Sequence, residues 1–222
     1  MTLTVRTKII VEKFEDGPIW TIGYLVHTGP GGEAIVIDVP MWSSEKIYKR
    51  TLEIGLLVKY IIATHGHWDH IGDMEKLKAL TGAQVCAHQG DEWMMRDPNG
   101  MVIVPPESIE PVEIDIRLNC GGTVETSGTK LKVIETPGHS AGSICLFEED
   151  ERILFTGDTL FSGSIGRADL PTGSMDAISK SVQEKLMTLP GDVKIYPGHG
   201  GDSTLEKEKL ENPFVQMMFA AR

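Results

Sequence analysis

Cysteine is scarce in this chain: three among 222 residues, Cys86, Cys120 and Cys145, an odd number with no CxxC pair. That count argues against a disulfide framework and against a zinc ribbon. Cys86 in AQVCAH and Cys145 in SICLF sit in apolar runs, where a thiol packs as a small hydrophobe. Long hydrophobic runs are missing too, and no window approaches the roughly 18 apolar residues of a membrane span, so no membrane partner is expected. Positive charge is short: 21 Lys and Arg against 32 Asp and Glu leave a net charge of -11. No Lys/Arg cluster forms a stripe for phosphate backbones, so no nucleic-acid partner is expected. The opening MTLTVRTKIIVEKFEDG lacks a long apolar core with a cleavage site. A secretory signal is therefore not expected, and the expected location is the cytoplasm.

What is present suffices for a substantial core: 41% of the residues are hydrophobic, and a chain of this length buries on the order of 70% of its unfolded surface. No Pro-, Ser- or charge-rich linker divides the sequence, so one domain over 1–222 is expected. Runs rich in β-branched and aromatic residues at 5–14, 19–27 and 34–39, with a GPGG turn at 29–32, predict an antiparallel meander. Ser43 or Ser44 is placed to cap a helix through 45–55, and 56–64 reads as a buried strand. A helix at about 71–80 ends at Gly82, and 83–88 is the next strand. Further strands are predicted at 129–135, 143–148, 152–156 and 193–197. A helix is predicted at about 174–188, and another from about 203 is interrupted or restarted at Pro213. The proline-bearing 90–120 stretch reads as irregular. Strands alternating with helices predict a layered α/β arrangement.

Four of the strand patterns end alike. YIIATH reaches His65, KVIETPGH reaches His139, RILFTGD reaches Asp158 and VKIYPGH reaches His199. Ligands in layered α/β folds gather where strands end, because rigid strands hold the converging loops. The densest element is His65-Gly66-His67-Trp68-Asp69-His70. In an extended segment His65 and His67 point the same way and can grip one ion, and the following turn into a helix aims Asp69 and His70 at a neighbouring position. Imidazole with carboxylate suits zinc, iron or manganese, whereas calcium or magnesium takes mostly oxygen.

HGHWDH with the distant His139, Asp158 and His199 resembles the signature of the metallo-β-lactamase fold superfamily. The segment TGDTLFSGSIGRADLPTG at 156–173 resembles its glyoxalase II-like (hydroxyacylglutathione hydrolase-like) branch. The resemblance implies a four-layer αββα sandwich with two divalent metal ions at one edge of the sheets, zinc first and iron or manganese as alternatives. His65, His67 and His139 would bind the first ion, Asp69, His70 and His199 the second, and Asp158 both. Asp69 would also serve catalysis by orienting an activated water and passing its proton to the leaving group. The implied activity is hydrolysis of a small-molecule thioester, S-lactoylglutathione or a related acyl thiol.

Full-length glyoxalase II enzymes carry a C-terminal helical domain that helps to hold glutathione. This chain reaches Arg222 soon after His199, so that domain is expected to be lacking and the thiol carrier is open. Alternatives are an iron-dependent glutathione persulfide dioxygenase using His65, His139 and Asp158, a lactonase, a phosphodiesterase and a metal-binding scaffold with an inert site. Arg167 is expected to brace a loop against the Asp158 loop or to pair with a substrate carboxylate. Trp42, Trp68, Trp93, Met94 and Met95 are candidates for an apolar pocket wall. His27 and His88 have no ligand context, and the sequence does not assign an oligomeric state.

Overall fold

Alternation inside the strands builds the layers. The structure, a computed structural model, describes residues 8–220, so residues 5–7 of the first predicted strand lie outside the described ones. Strands β1 (Ile10–Asp16), β2 (Thr21–His27) and β3 (Glu33–Ile37) form the predicted antiparallel meander. Strands β4 (Leu57–Ile62), β5 (Gln84–His88) and β6 (Ile116–Leu118) add to β3 in parallel, each in turn. The second sheet holds β7 (Thr123–Glu125), β8 (Lys130–Glu135), β9 (Ile144–Glu148), β10 (Ile153–Gly157), β13 (Lys194–Pro197) and β14 (Ser203–Thr204), in the order β14-β13-β10-β9-β8-β7. A hairpin of β11 (Leu160–Phe161) and β12 (Ser164–Ile165) stands apart.

In β2, Ile22, Tyr24 and Val26 face the second sheet while Leu25 faces the opposite way. In β9, Ile144 and Leu146 meet them from the other side, and Cys145 and Phe147 point outward. Both faces of each sheet are therefore apolar and both need cover. Helices α1 (Ser44–Glu53), α2 (Trp68–Ile71) and α3 (Met74–Thr81) cover the first sheet through Ile47, Ile71, Met74 and Leu77. The outer face of the second sheet is covered by α5 (Met175–Ser181), α6 (Leu205–Glu211) and α7 (Pro213–Ala220), following the short α4 (Glu92–Arg96) in the chain. This is the αββα sandwich. Among the described residues no helix is long and apolar enough to cross a membrane.

The departures from the sequence reading have local causes. Neither Ser43 nor Ser44 caps α1 in the usual way: the Ser43 hydroxyl donates to Pro40 O, and Asp73 accepts from Ser44 N and Oγ at 3.2 and 2.8 Å. A carboxylate from the start of α3 thus ties down the first turn of α1. The helix predicted at 174–188 is α-helical only to Ser181 and continues as a π-helical turn over Val182–Leu186. Pro213 opens a second helix, α7, whose first turn is capped by Asn212 Oδ1 accepting from Phe214 N and Val215 N. The 90–120 stretch is not wholly irregular, since it holds α4, a 3₁₀ turn at Pro98–Gly100 and β6.

Candidate metal centre

The ligand-bearing loops follow β4, β8, β10 and β13, and all four open at one end of the sandwich. His67, at φ -67° and ψ 144°, is extended, and α2 starts directly after it. His65 and His67 therefore share a side, with ring centroids 4.8 Å apart. Asp69 and His70 follow in the first turn of α2. Gly198 gives the β13 loop its close approach: a Cβ there would lie 2.3 Å from Asp158 Oδ1 and 2.6 Å from His70 Cε1.

All seven residues singled out from the sequence converge. One donor atom each from His65, His67 and His139 lies within 4.8 Å of the others, and the same holds for Asp69, His70 and His199. Asp158 groups with His65 and His70, one from each trio. His67 Nδ1 is 2.8 Å from His139 Nε2. His70 Nε2 is 3.2 Å from Asp158 Oδ1 and 3.3 Å from Asp69 Oδ2, and His199 Nε2 is 3.3 Å from Asp69 Oδ2.

Three of these atoms, His65 Nε2, His70 Nε2 and Asp158 Oδ1, are buried and make no hydrogen bond. Buried polar atoms without partners are costly. Here they point at one another, and their chemistry (two imidazole nitrogens and a carboxylate oxygen) is that of a borderline transition-metal site. The donor set fits divalent cations.

The outer ring nitrogens are fixed from behind, as metal-binding histidines require. His139 Nδ1 donates to Arg167 O at 2.8 Å, and His70 Nδ1 donates to Asp38 Oδ2 at 2.8 Å. His65 Nδ1 donates to Thr64 Oγ1 at 3.1 Å, and that hydroxyl donates to Asp38 Oδ2 at 2.8 Å. Asp38 thus orients one histidine of each trio. Replacing it, Asp38→Asn, is expected to weaken metal binding about 10- to 100-fold. A zinc titration in competition with a chromophoric chelator checks this, and an unchanged affinity would remove Asp38 from the account.

Electrostatically the cluster has two sides. Burial, aided by neighbouring imidazoles, pushes His65 well below the usual histidine range and His67 to about 4. Both are held neutral, which is the ligating form. Burial also opposes a charge on His70, but Asp69, Asp158 and Asp38 outweigh it and lift His70 well above its ordinary value. His199 is raised against burial by Asp69 and Asp158. For Asp158, burial opposes ionisation, yet His70, His139 and His199 hold it below the usual carboxylate range.

Sequence reasoning passed over Asp38, Thr21 and Asp91. Thr21 Oγ1 donates to Asp69 Oδ2 at 2.7 Å and fixes that carboxylate. Asp91, just after β5, accepts from Gly66 N, Gly142 N and Ser140 Oγ at 2.9, 2.7 and 2.5 Å. It pins the HGHWDH loop to the loop that carries His139. Asp38 had a signal: AIVID is an apolar run ending in Asp, as is the RILFTGD that marked Asp158.

A cavity of about 730 Å³ opens onto the cluster, with His67, Asp69, His139, Asp158 and His199 in its wall. His65 and His70 lie behind them. Trp68, Trp93 and Met94 line the cavity as expected, whereas Met95 packs under the first sheet and Trp42 is outside the lining. The Arg167 guanidinium does not brace the Asp158 loop. It pairs with Asp169 at 2.7 and 2.8 Å, and only its backbone carbonyl serves the centre. His27 contacts Glu12 and His88 lies 3.2 Å from Glu135, both away from the cluster.

Comparison with known proteins agrees with this geometry. The metallo-β-lactamase superfamily profile matches residues 23–199, from β2 to the last ligand. The chain belongs to the metallo-β-lactamase superfamily, and is a metal-dependent hydrolase of that fold. It is 32% identical to the hydroxyacylglutathione hydrolase GloC of Haemophilus influenzae, over 82% of this chain and 87% of the relative. Among solved structures it is similar to the B3 metallo-β-lactamase BLEG-1, with a TM-score of 0.84 and 28% identity over 93% of this chain and 99% of that one. It is also similar to TTHA1623 in a di-iron-bound form, with a TM-score of 0.79 and 30% identity over 92% of this chain and 100% of that one.

Proposed function

We propose that the protein is a two-metal thioesterase, with S-lactoylglutathione as the reference substrate and acyl thioesters as the class. The observation that carries the reading is Asp158, one carboxylate grouped with a histidine from each trio and facing an open cavity. His65, His67 and His139 would hold one ion, Asp69, His70 and His199 the other, and Asp158 both. Zinc is the first choice for this donor set, and the di-iron form of the TTHA1623 relative supports iron as a second. When bound, such ions would supply Lewis acidity, lowering the pKa of water towards about 7 and stabilising charge on a carbonyl oxygen.

The chain's own groups do the remaining work. The Asp69 carboxylate, steadied at Oδ2 by the Thr21 hydroxyl, stands in the cavity wall and is placed to hold a proton. Water adds to the acyl carbon and the carbon–sulfur bond breaks, giving a carboxylic acid and a thiol. The proton lost by water reaches the departing sulfur through Asp69. The name of the GloC relative supports thioester chemistry over other acyl groups. The same reading takes the chain as one hydrolase domain acting on a small molecule in a reducing cytoplasm, where the free thiols Cys86, Cys120 and Cys145 are stable.

Thioester cleavage by the metal-loaded protein, followed by thiol release, tests the reading. A chelator is expected to abolish it, zinc or iron to restore it, and His67→Ala to lower it on the order of a hundredfold or more. Cleavage of lactones alone, or oxygen uptake with glutathione persulfide in place of hydrolysis, would overturn it.

A further inference from the structure

The cavity wall names a narrower substrate class. Resting on the thioesterase reading, we propose that the site takes acyl thioesters with an apolar aliphatic or aromatic acyl chain on an uncharged carrier, in preference to anionic glutathione conjugates. Ile19 from the β1–β2 turn, Trp93 from α4, Val102 and Ile103 from the loop after the 3₁₀ turn, Phe161 from β11 and Leu170 all reach this one wall. Five separate segments supply apolar side chains to a surface that ends at the metal-binding cluster.

Several of these side chains are not core. Ile19 is 44% exposed, Trp93 45%, Val102 72% and Ile103 42%. Large apolar groups gathered at a cavity mouth mark a surface that a ligand covers. Because the wall runs into Asp69 and Asp158, that ligand must present its reacting carbon there.

Charge argues the same way. Among the described residues lining the cavity, Arg167 is the one Lys or Arg, and Asp169 already engages its guanidinium through both oxygens. A glutathionyl group would bring two carboxylates and one ammonium, a net negative charge, to a chain of net charge -11. Buried or half-buried carboxylates need paired cations, and the one guanidinium of this wall is already shared with Asp169. An alkyl chain needs only the area offered.

Two measurements on the metal-loaded protein test the proposal. The first is kcat/KM for N-acetylcysteamine thioesters from acetyl to decanoyl, beside S-lactoylglutathione. The expected result is a rise of about threefold per methylene until the cavity is filled, with octanoyl at least tenfold above S-lactoylglutathione and the slope flattened in Ile103→Ser. The second is tryptophan fluorescence, reporting through Trp68 and Trp93, during titration with hexanol, octanol and decanol. Affinity is expected to climb with length and to fall in Ile103→Ser. Thioester cleavage that ignores chain length, or that favours S-lactoylglutathione, overturns this inference and leaves the thioesterase reading intact. Alcohol binding that climbs with length while every thioester resists cleavage supports the apolar site and overturns that reading. Alcohol binding that does not depend on length overturns the inference whatever the kinetics show.

Discussion

Asp158→Ala is expected to lower thioester turnover on the order of a thousandfold, the largest loss from any one substitution outside the histidines. Asp158 Oδ1 is buried and unpartnered beside His70 Nε2, and Oδ2 lies 3.6 Å from both His139 Nε2 and His199 Nε2. No other side chain in the cluster touches both trios with two separate oxygens. Its loss would remove the ligand proposed to be shared, and would leave His70 and His199 without one of the carboxylates, after Asp69, that offset their burial. Turnover at saturating zinc, with metal content measured on the same preparation, checks this. Turnover within tenfold of the parent would show that Asp158 is a turn residue and not a shared ligand.

Asp91→Ala is expected to be the most damaging change to stability outside the apolar core. Its carboxylate accepts three hydrogen bonds from buried donors in two loops that never meet in sequence. Burial raises the pKa of Asp91 and the three donors oppose that rise, so the group is held where it is by what it accepts. Each donor left without a partner costs about 1–3 kcal/mol. With partial relaxation the sum is about 4 kcal/mol, which for a chain of this size lowers Tm by roughly 10 °C. Thermal unfolding of the metal-loaded protein measures it. Asp91→Asn, which keeps one acceptor oxygen, is expected to lose about half as much. A Tm for Asp91→Ala within about 2 °C of the parent would mean that the loops are held by other contacts.

The parts of the fold that were legible in the sequence are those with a period. Alternating residues such as Ile22, Tyr24 and Val26 against Leu25 announce a strand with two buried faces, and Gly82 at φ 68° ends α3 as expected. The seven clustered residues were legible because each stands in a short local pattern: HGHWDH, or an apolar run stopped by a turn and a ligand. What was not legible is set by approach in space. Nothing around Thr21 or Asp91 shows that one will meet Asp69 and the other Gly66, because those partners are 48 and 25 residues away. Asp73 capping α1 in place of Ser43 is the same case. Within 90–120 the elements are too short for a period to show. Met94 and Met95 are both buried, but in different places, one facing the cavity and one under the sheet.

Loops far apart in sequence, brought together at one end of the sandwich, would hold a pair of divalent ions side by side. Chelator-stripped protein titrated with zinc, with bound metal counted per chain by elemental analysis after gel filtration, tests it most directly. Binding is expected to saturate at about two ions per folded chain and to drop by at least one in Asp158→Ala. Saturation at zero or one ion in the intact protein, with the fold verified by circular dichroism, would contradict it.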